Sequence, residues 1–301
     1  MSGVFLFIST SLKMYSKTVL EFLQHYFSEN LSIMNSYAVS GGSINTTFII
    51  TLSNGREVFV KVNSTDFYDN FFQEYSALSF LQNKSSLYVP EQIGLHNDET
   101  KAFLILEKLE KSPEANDFYI KLGKGFAELH LNTADTFGWE SNNYIGSLPQ
   151  SNKKYLRWGE FFMNERLEPL LNWCYNNNYL DSSFVNAINN LYKNLDSIFP
   201  HEKPALLHGD FWTGNRMSTS KGAAIFDPST YYGHREMDIA MANLFGRLPE
   251  EFYKAYDEVY PLEKDFKYRM DVCNLYPLLV HARLFGKSYM TEIKNVLERF
   301  K

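Results

Sequence analysis

Three side chains between residues 206 and 232 have the types and the spacing that phosphoryl transfer requires. Asp210 ends a His-Gly-Asp sequence, four residues separate it from Asn215, and Asp227 ends the apolar segment that follows. In transfer from a nucleoside triphosphate, one carboxylate must reach the hydroxyl that attacks the γ-phosphate, while an amide oxygen and a second carboxylate hold Mg²⁺ against the phosphates. The pattern predicts that Asp210 acts on the acceptor and that Asn215 and Asp227 bind the metal.

A purely structural role for the same residues is the alternative. Asp210 and Asn215 belong to types that often cap turns. The motif is preceded by an apolar run at 205–207, as expected for a strand that leads into a catalytic loop. A lone His-Gly-Asp would be weak evidence, but the full spacing behind such a strand favours phosphoryl transfer.

The N-terminal part of the chain has the pattern of a small sheet. Alternating apolar residues predict strands at 33–39, 44–52 and 57–62, and the Asn-Gly pair at 54–55 is typical of a tight hairpin. The turn between the first two strands contains three residues whose backbone N–H groups could cover phosphates: Gly41, Gly42 and Ser43. Glycine pairs of this kind are often turns and nothing more, so their position after a strand carries the interpretation.

Lys61 stands near the end of the third predicted strand. A lysine in a strand is usually a solvated edge residue. Here the next segment, 67–78, has helical periodicity, carries Glu74 and has Asp66 as its predicted cap. A strand lysine paired with a helix glutamate is the arrangement that orients the lysine onto the α- and β-phosphates. We therefore predict a Lys61–Glu74 pair, with an ordinary exposed helix charge as the alternative for Glu74.

A polar segment at 107–112 follows the apolar strand predicted at 102–106 and ends at a proline. This segment is predicted to be a hinge in which backbone groups of Glu107 and Leu109 contact adenine. Beyond it the periodicity becomes helical. The predicted helices are 117–130, 158–171, 183–199, 236–245 and 265–286.

These elements predict an α+β protein with two lobes. The first, at 14–107, is small and built on an antiparallel sheet that covers ATP, and the second, at 108–301, is larger, mostly helical and contains the catalytic loop, the metal site and the acceptor site. Residues 1–13 are predicted to be a disordered leader or an over-extended start, because a more ordinary sequence opens at Met14.

Composition excludes several classes of protein. With 45% hydrophobic and 16% aromatic residues the chain belongs with globular proteins, and a net charge of −6 without a Lys/Arg run argues against nucleic acid as a partner. No apolar stretch approaches a transmembrane length, so no membrane association is expected. The two cysteines, Cys174 and Cys273, are far apart and outside any C-x-x-C pattern, which favours a reducing, cytoplasmic compartment.

The chain resembles the fructosamine kinase (ketosamine 3-kinase) family, a branch of the aminoglycoside-phosphotransferase and protein-kinase-like fold. The resemblance runs from about residue 37 to the C-terminus. Its most specific segments are GGSIN at 41–45, VFVKVN at 58–63, FGWESNNYIGSLPQSN at 137–152, LLHGDFWTGN at 206–215 and IFDPSTYYGHREMDIAMANLFG at 225–246.

The resemblance implies a role for each matching residue. Asp210 would be the catalytic base, Asn215 and Asp227 the Mg²⁺ ligands, and Lys61 with Glu74 would contact the phosphates of ATP. His208 would brace the catalytic loop, and Trp212 would flank the sugar, although core packing is nearly as plausible for this aromatic ring. The segment at 142–152 would shape the acceptor side, and Glu236 and Asp238 would cap or brace rather than react.

Two departures limit what the resemblance implies. Many family members have a cysteine where this chain has Ser43, so a thiol switch in that turn is not expected. The Ala-Pro-Glu landmark and an activation loop are absent, which argues against a protein-serine kinase switched by loop phosphorylation.

The implied reaction is the transfer of a phosphoryl group from ATP to the 3-hydroxyl of a ketosamine, free or on a glycated protein, which would release the amine and repair glycation. Two alternatives stay open. Another small-molecule kinase, acting on an aminoglycoside or choline, would share every ATP-side residue. A pseudokinase scaffold is disfavoured because the acidic, amide and lysine residues of the site are all intact.

Overall fold

The computed structural model describes residues 16–39 and 44–301. Its N-terminal part is a five-stranded antiparallel sheet with the strand order β1-β2-β3-β5-β4. The strands are β1 (Ile33–Ala38), β2 (Thr46–Leu52), β3 (Glu57–Ser64), β4 (Gln92–Asn97) and β5 (Lys101–Glu107). The turn at Gly41, Gly42 and Ser43 and the predicted leader at 1–13 lie outside the described residues.

Two helices cover the two faces of this sheet. Helix α1 (Ser16–Phe27) buries Val19 and Leu23 against one face, and helix α2 (Tyr68–Leu81) buries Phe71 and Leu78 against the other. The side chains of a strand alternate between faces, so β5 contributes Phe103 and Ile105 to the α1 side and Ala102, Leu104 and Leu106 to the α2 side. Strand β3, which carries Lys61, pairs with β5 and packs its valines into the core on the α1 side.

The C-terminal part is mostly helical. Its helices are α3 (Phe118–His130), α4 (Trp158–Phe161), α5 (Glu168–Asn176), α6 (Val185–Ile198), α7 (Glu236–Leu244), α8 (Glu250–Val259), α9 (Phe266–Phe285) and α10 (Met290–Glu298). Helix α9 is buried along most of its length, and helices α4 to α7 and α10 share its core. Cys174 and Cys273 are buried in that core as free thiols.

Short strand pairs in the C-terminal part lead the chain into the site. Strand β8 (Ala205–Leu207) pairs with β11 (Tyr231–Gly233), and β9 (Arg216–Thr219) pairs with β10 (Gly222–Ile225). A third hairpin is formed by β6 (Asn143–Ile145) and β7 (Leu148–Gln150). The loop with Asp210 connects β8 to β9, and Asp227 follows β10, so the two carboxylates are brought to the same edge.

The predicted α+β organisation is confirmed, with exceptions at particular elements. The helix predicted at 158–171 is interrupted by a π-helical turn, Phe162–Leu167. The prediction that Asp66 caps α2 was wrong, because Thr65–Phe67 forms a 3₁₀ turn and the helix begins at Tyr68 without a side-chain cap. Within the described residues, no helix is both long and apolar enough to cross a bilayer.

Candidate active site

Asp210 lies at the end of a sharp turn that directly follows β8. Gly209 has φ +81°, and a Cβ there would lie 2.1 Å from the carbonyl oxygen of Ser229. Only glycine fits this backbone, because the left-handed conformation and the crowding both exclude a side chain. His208 is fully buried, and its Nε2 lies 3.1 Å from the carbonyl oxygen of Phe226. Burial lowers the pKa of His208, so it is suited to hold the loop in its neutral form.

Asp238, near the start of α7, stabilises the loop turn at residues 208–210. Its carboxylate accepts the backbone N–H groups of His208 at 2.7 Å and of Gly209 at 2.9 Å. His130 of α3 contacts the same carboxylate at 3.2 Å and Tyr256 of α8 at 2.7 Å. Asp238 is therefore a loop brace, as the sequence indicated, and it connects the turn to three helices.

Asp210 and Asn215 are joined across the loop. The side-chain amide of Asn215 donates to the carboxylate of Asp210 and to its backbone carbonyl, both at 2.9 Å. With the amide nitrogen used in this way, the amide oxygen is the group that Asn215 can offer to a ligand. Burial, and after it the charge of Asp227, raises the pKa of Asp210 to about 7 in the protein alone. A raised pKa suits a group that takes a proton from an alcohol near neutral pH.

Lys61 contacts two carboxylates from different parts of the chain. Its Nζ lies 2.7 Å from Oε1 of Glu74 on α2 and 2.6 Å from Oδ1 of Asp227. Burial acts to lower the pKa of Lys61, but the negative charges of Asp227 and Glu74 outweigh it and raise the pKa above its ordinary value. Burial, helped by the charge of Asp227, raises the pKa of Glu74 even though the ammonium group of Lys61 acts to lower it. Asp227 has φ +56° and keeps 42% of its side chain exposed, so it can still reach a ligand.

Two cavities adjoin this group. The larger, of about 370 Å³, runs under the sheet and has mainly apolar walls, including Val39, Ile49, Phe59, Leu106 and Met217. Glu107 and Leu109, whose backbone groups are predicted to contact adenine, also line this cavity. The N–H of Glu107 is bonded to the carbonyl of Glu91 at 2.9 Å. Any backbone contact of Glu107 with a nucleotide would therefore have to use its carbonyl.

The smaller cavity, of about 170 Å³, lies over Asp210 and is lined mainly by polar side chains. Trp212 forms part of its wall and is 36% exposed, with its ring edge-on to Phe245. Amide side chains supply most of the remaining polar groups: Asn45, Asn70, Gln73, Asn143 and Asn215. Neutral amides can both donate and accept, which matches the hydroxyl groups of a polyol.

Metal-binding potential is limited to a few oxygen donors. Among the described residues no group of three or more His, Cys, Asp or Glu side chains could hold a metal ion. The carboxylate of Asp227 and the amide oxygen of Asn215 are hard donors, and both residues line both cavities. Mg²⁺ in nucleotide enzymes typically has one or two protein ligands and completes its shell with phosphates and water. The donor set fits that mode.

The structure thus brings Lys61, Glu74, Asp210, Asn215 and Asp227 into one place, with His208 beneath them and Trp212 at the rim. The sequence reading missed the amides on α2 that line the smaller cavity. Asn70, Gln73 and Glu74 have the i, i+3 and i+4 spacing that places side chains on one helix face, and this signal could have revealed them.

Comparisons with known proteins identify the family of this chain. The family model described as fructosamine kinase matches residues 15–301. A probable ketoamine kinase of Vibrio parahaemolyticus is 34% identical over 274 residues, which cover 89% of this chain and 92% of the relative. A probable ketoamine kinase of Enterococcus faecium is 35% identical and covers 87% and 94%.

Solved structures show the same relationship. A probable fructosamine-3-kinase from Haemophilus somnus superposes with a TM-score of 0.86 at 26% identity, over 96% of this chain and 99% of the other. The aminoglycoside phosphotransferase APH(4)-Ia, in a complex with AMP-PNP and hygromycin B, has a TM-score of 0.63 at 16% identity over 93% and 98%, and this likeness shows the fold alone. The fold is therefore that of the aminoglycoside phosphotransferases and protein kinases. The chain belongs to the fructosamine kinase family of phosphotransferases.

Proposed function

We propose that this protein transfers the γ-phosphoryl group of ATP to the 3-hydroxyl of a ketosamine, with Mg²⁺. The observation that carries this proposal is the Lys61 group, with carboxylates at 2.7 and 2.6 Å, set between an apolar cavity and an amide-lined cavity. Membership of the fructosamine kinase family supports the choice of acceptor.

The larger cavity would take the nucleotide. Its apolar walls suit a purine ring, with Glu107 and Leu109 near the adenine, while Lys61 at the inner end would contact the α- and β-phosphates. Gly41, Gly42 and Ser43 would bind the phosphates through their backbone N–H groups. Asn215 and Asp227 would hold Mg²⁺, which supplies positive charge to the phosphate oxygens as the phosphoryl group moves.

Asp210 would accept the proton of the attacking hydroxyl. The side-chain amide of Asn215, at 2.9 Å, holds the carboxylate in one orientation. Asp238 and His208 hold the turn that carries it. Because the protein makes few covalent demands in this chemistry, most of the acceleration would come from positioning and from the fixed charges.

The smaller cavity would take the acceptor. Trp212 offers an aromatic wall for the apolar face of a sugar, and the amides offer partners for its hydroxyl groups. The acidic groups beside the cavity would favour the protonated amine of a ketosamine over a neutral sugar. Phosphorylation at carbon 3 destabilises the adduct and releases the amine, so the activity would reverse glycation of small amines or of protein side chains. The free, buried thiols of Cys174 and Cys273 suit a cytoplasmic location.

A second candidate is a kinase for another small alcohol. It is favoured only by the fold shared with the aminoglycoside phosphotransferases at 16% identity. Such an enzyme would use the same nucleotide-side residues, so only the acceptor distinguishes the two.

The test is Mg²⁺- and ATP-dependent release of ADP with ribuloselysine, fructoselysine, an aminoglycoside and choline as separate acceptors, using Asp210→Asn as the blank. We expect turnover with a ketosamine, and mass spectrometry of the product should place the phosphate on carbon 3. Turnover only with the aminoglycoside or choline would overturn the acceptor while leaving the nucleotide site in place. No turnover of any kind would favour a scaffold.

A further inference from the structure

We propose that the β6–β7 hairpin positions Glu74 and Asp227, the two acidic partners of Lys61, relative to each other. We call residues 138–150 the strut. One side of the strut is hydrogen-bonded to helix α2, which carries Glu74, and the other to residues 229–230, which closely follow Asp227. The inference rests on the proposed use of ATP, but not on the identity of the acceptor.

Three hydrogen bonds join the strut to α2. The hydroxyl of Tyr144 donates to Asp69 at 2.8 Å, and the side-chain amide of Asn70 donates to the carbonyl of Gly146 at 3.0 Å. The hydroxyl of Ser141 donates to the side-chain oxygen of Gln73 at 3.1 Å. The helical partners, at positions 69, 70 and 73, lie on the face of α2 that also carries the glutamate at 74. All three bonds are at the surface, where water competes with them.

The opposite side of the strut is buried and more firmly held. Asn143 donates to the carbonyl of Thr230 at 2.8 Å, and Gln150 donates to the carbonyl of Ser229 at 3.3 Å. The side-chain oxygen of Asn143 in turn accepts hydrogen bonds from Gln150 and Asn152, both at 2.8 Å.

A buried arginine completes this anchor. Arg166, in the π-helical turn, is fully buried, donates to Asn152 at 2.7 Å and stacks over the ring of Tyr231 at 4.1 Å. Tyr276 of α9 donates to Gln150 at 2.5 Å. A buried network of this kind resists opening, because each broken bond would leave a polar group without water.

The two sides of the strut therefore differ in stiffness. The strut is attached to residues 229–230 through the buried network, whereas it is attached to α2 through exposed hydrogen bonds that water can replace. In protein kinases the position of the corresponding helix decides whether the lysine–glutamate pair forms. Here the strut would keep α2 close enough for Glu74 to share Lys61 with Asp227. Asp69 and Ser141 are then positioning residues that act through Glu74.

The test removes strut contacts without substituting any residue that lines either cavity. Asp69→Ala combined with Ser141→Ala deletes two of the three bonds to α2, and neither residue lines a cavity. Asp66→Ala combined with Ser79→Ala is the matched control, since these exposed residues are of the same types and make no bond to the strut among the described contacts. The readouts are kcat for ATP hydrolysis without acceptor, kcat and KM with acceptor, and Tm.

We expect the strut variant to lose about fivefold or more in kcat, with and without acceptor, as the loss of two modest hydrogen bonds implies. The acceptor KM and the Tm should change little, and the control variant should match the wild type. Asp69→Asn should keep near-normal turnover, because its amide oxygen can still accept from Tyr144. In a Glu74→Gln background the same double substitution should have almost no further effect.

Three results would overturn the inference. One is a strut variant whose kcat equals that of the control. Another is a rise in acceptor KM with unchanged ATP hydrolysis, which would make the strut only a wall of the cavity. The third is an undiminished loss of kcat in the Glu74→Gln background. ATP hydrolysis by the wild type without phosphorylation of any ketosamine would reject the proposed acceptor alone, whereas no ATP turnover at all would reject both proposals.

Discussion

Lys61 is the residue on which the electrostatics of the site depend. A buried ammonium group contacts carboxylates at 2.7 and 2.6 Å, one carried by α2 and one that follows β10. Removing one member of such a buried group leaves the others uncompensated, which is costly in a medium that screens charge poorly. Substitution of Lys61 would therefore affect both the proposed phosphate contact and the alignment of Glu74 and Asp227.

For Lys61→Ala we expect kcat to fall by about 10²-fold or more, the loss typical for removal of a group that stabilises transition-state charge. Steady-state kinetics with saturating ATP would measure it. Lys17→Ala is the control, since Lys17 is 89% exposed on α1. Turnover that survives the loss of Lys61 would remove this residue from the site.

Asp210→Asn tests the base. The substitution keeps the shape of the side chain but abolishes its capacity to take a proton, so kcat should fall by about 10²- to 10⁴-fold. Affinity for ATP, measured by calorimetry, should change little. Asp135→Asn, at an exposed position, serves as the comparison. Equal activity in the two variants would exclude Asp210 as the proton acceptor.

The elements of the fold differ in how far the sequence predicted them. The catalytic loop and the lysine strand were predictable, because each is a local pattern with a chemical meaning. Strand β4 was missed because its alternation is broken at Gly94, where a Cβ would lie 2.1 Å from the ring of Phe22 on α1. The segment at 142–152 had the composition of a loop but forms a hairpin, because its amides bond to backbone groups about 80 residues away. Long-range partners of this kind leave no trace in local periodicity.

The turn at Gly209 allows a comparison at fixed backbone geometry. Gly209 and Gly55 both have φ +81°, but an added Cβ would meet the Ser229 carbonyl at 2.1 Å in the first case and nothing within 4 Å in the second. Both alanine variants should carry the left-handed strain of about 1–2 kcal/mol. Gly209→Ala should lose further stability and most activity, as measured by urea unfolding and by kcat. Equal losses in the two variants would contradict a role for crowding at the catalytic turn.

The start of α7 predicts a pH dependence of stability. His234 is buried, and burial, aided by Arg235 and Arg269 against the opposing charge of Glu236, lowers its pKa to about 4. The unfolded chain binds a proton at this histidine near pH 6.5 whereas the folded chain does not, so the free energy of unfolding should fall as the pH drops from 6.5 towards 4. Between pH 7.5 and 5.0 the contribution is about 2 kcal/mol.

Urea unfolding of the wild type and of His234→Asn at those two pH values measures this effect. Burial also lowers the pKa values of His208 and His281, so the wild-type slope contains their contributions. The difference between the two proteins isolates His234. Parallel pH profiles would show that its titration is not linked to folding.

At the scale of the whole molecule, ligand and fold are coupled because the site lies between the sheet and the helical part. Lys61 contacts the carboxylates of Glu74 and Asp227, and the site holds a third carboxylate at Asp210, so carboxyl groups outnumber the ammonium group where the triphosphate would bind. A divalent cation at Asp227 would offset the negative charge of these groups. The nucleotide should therefore bind far better to the protein with the cation present than to the protein alone, and the cation far better with the nucleotide present.

We expect ATP with Mg²⁺ to raise the Tm by several degrees, since a ligand at 100 times its Kd stabilises the folded state by about 2.7 kcal/mol. ATP with a chelator should give a much smaller shift. Asp227→Ala should abolish both the cation-dependent part of the shift and turnover. A shift that is the same with and without Mg²⁺ would argue against a metal site at Asp227.

The two native thiols are buried in the helical core, so the distance between α2 and α6 can be measured with introduced labels. Burial raises the pKa of Cys174 to about 11 and that of Cys273 well above its ordinary value, so neither is a reactive thiolate at neutral pH. They are the only cysteines in the chain. Cysteines introduced at exposed positions of α2 and α6 could thus be labelled with a fluorophore pair while the native thiols stay in place. Energy transfer between the labels would then report, molecule by molecule, whether α2 and α6 move closer together when nucleotide and acceptor are added.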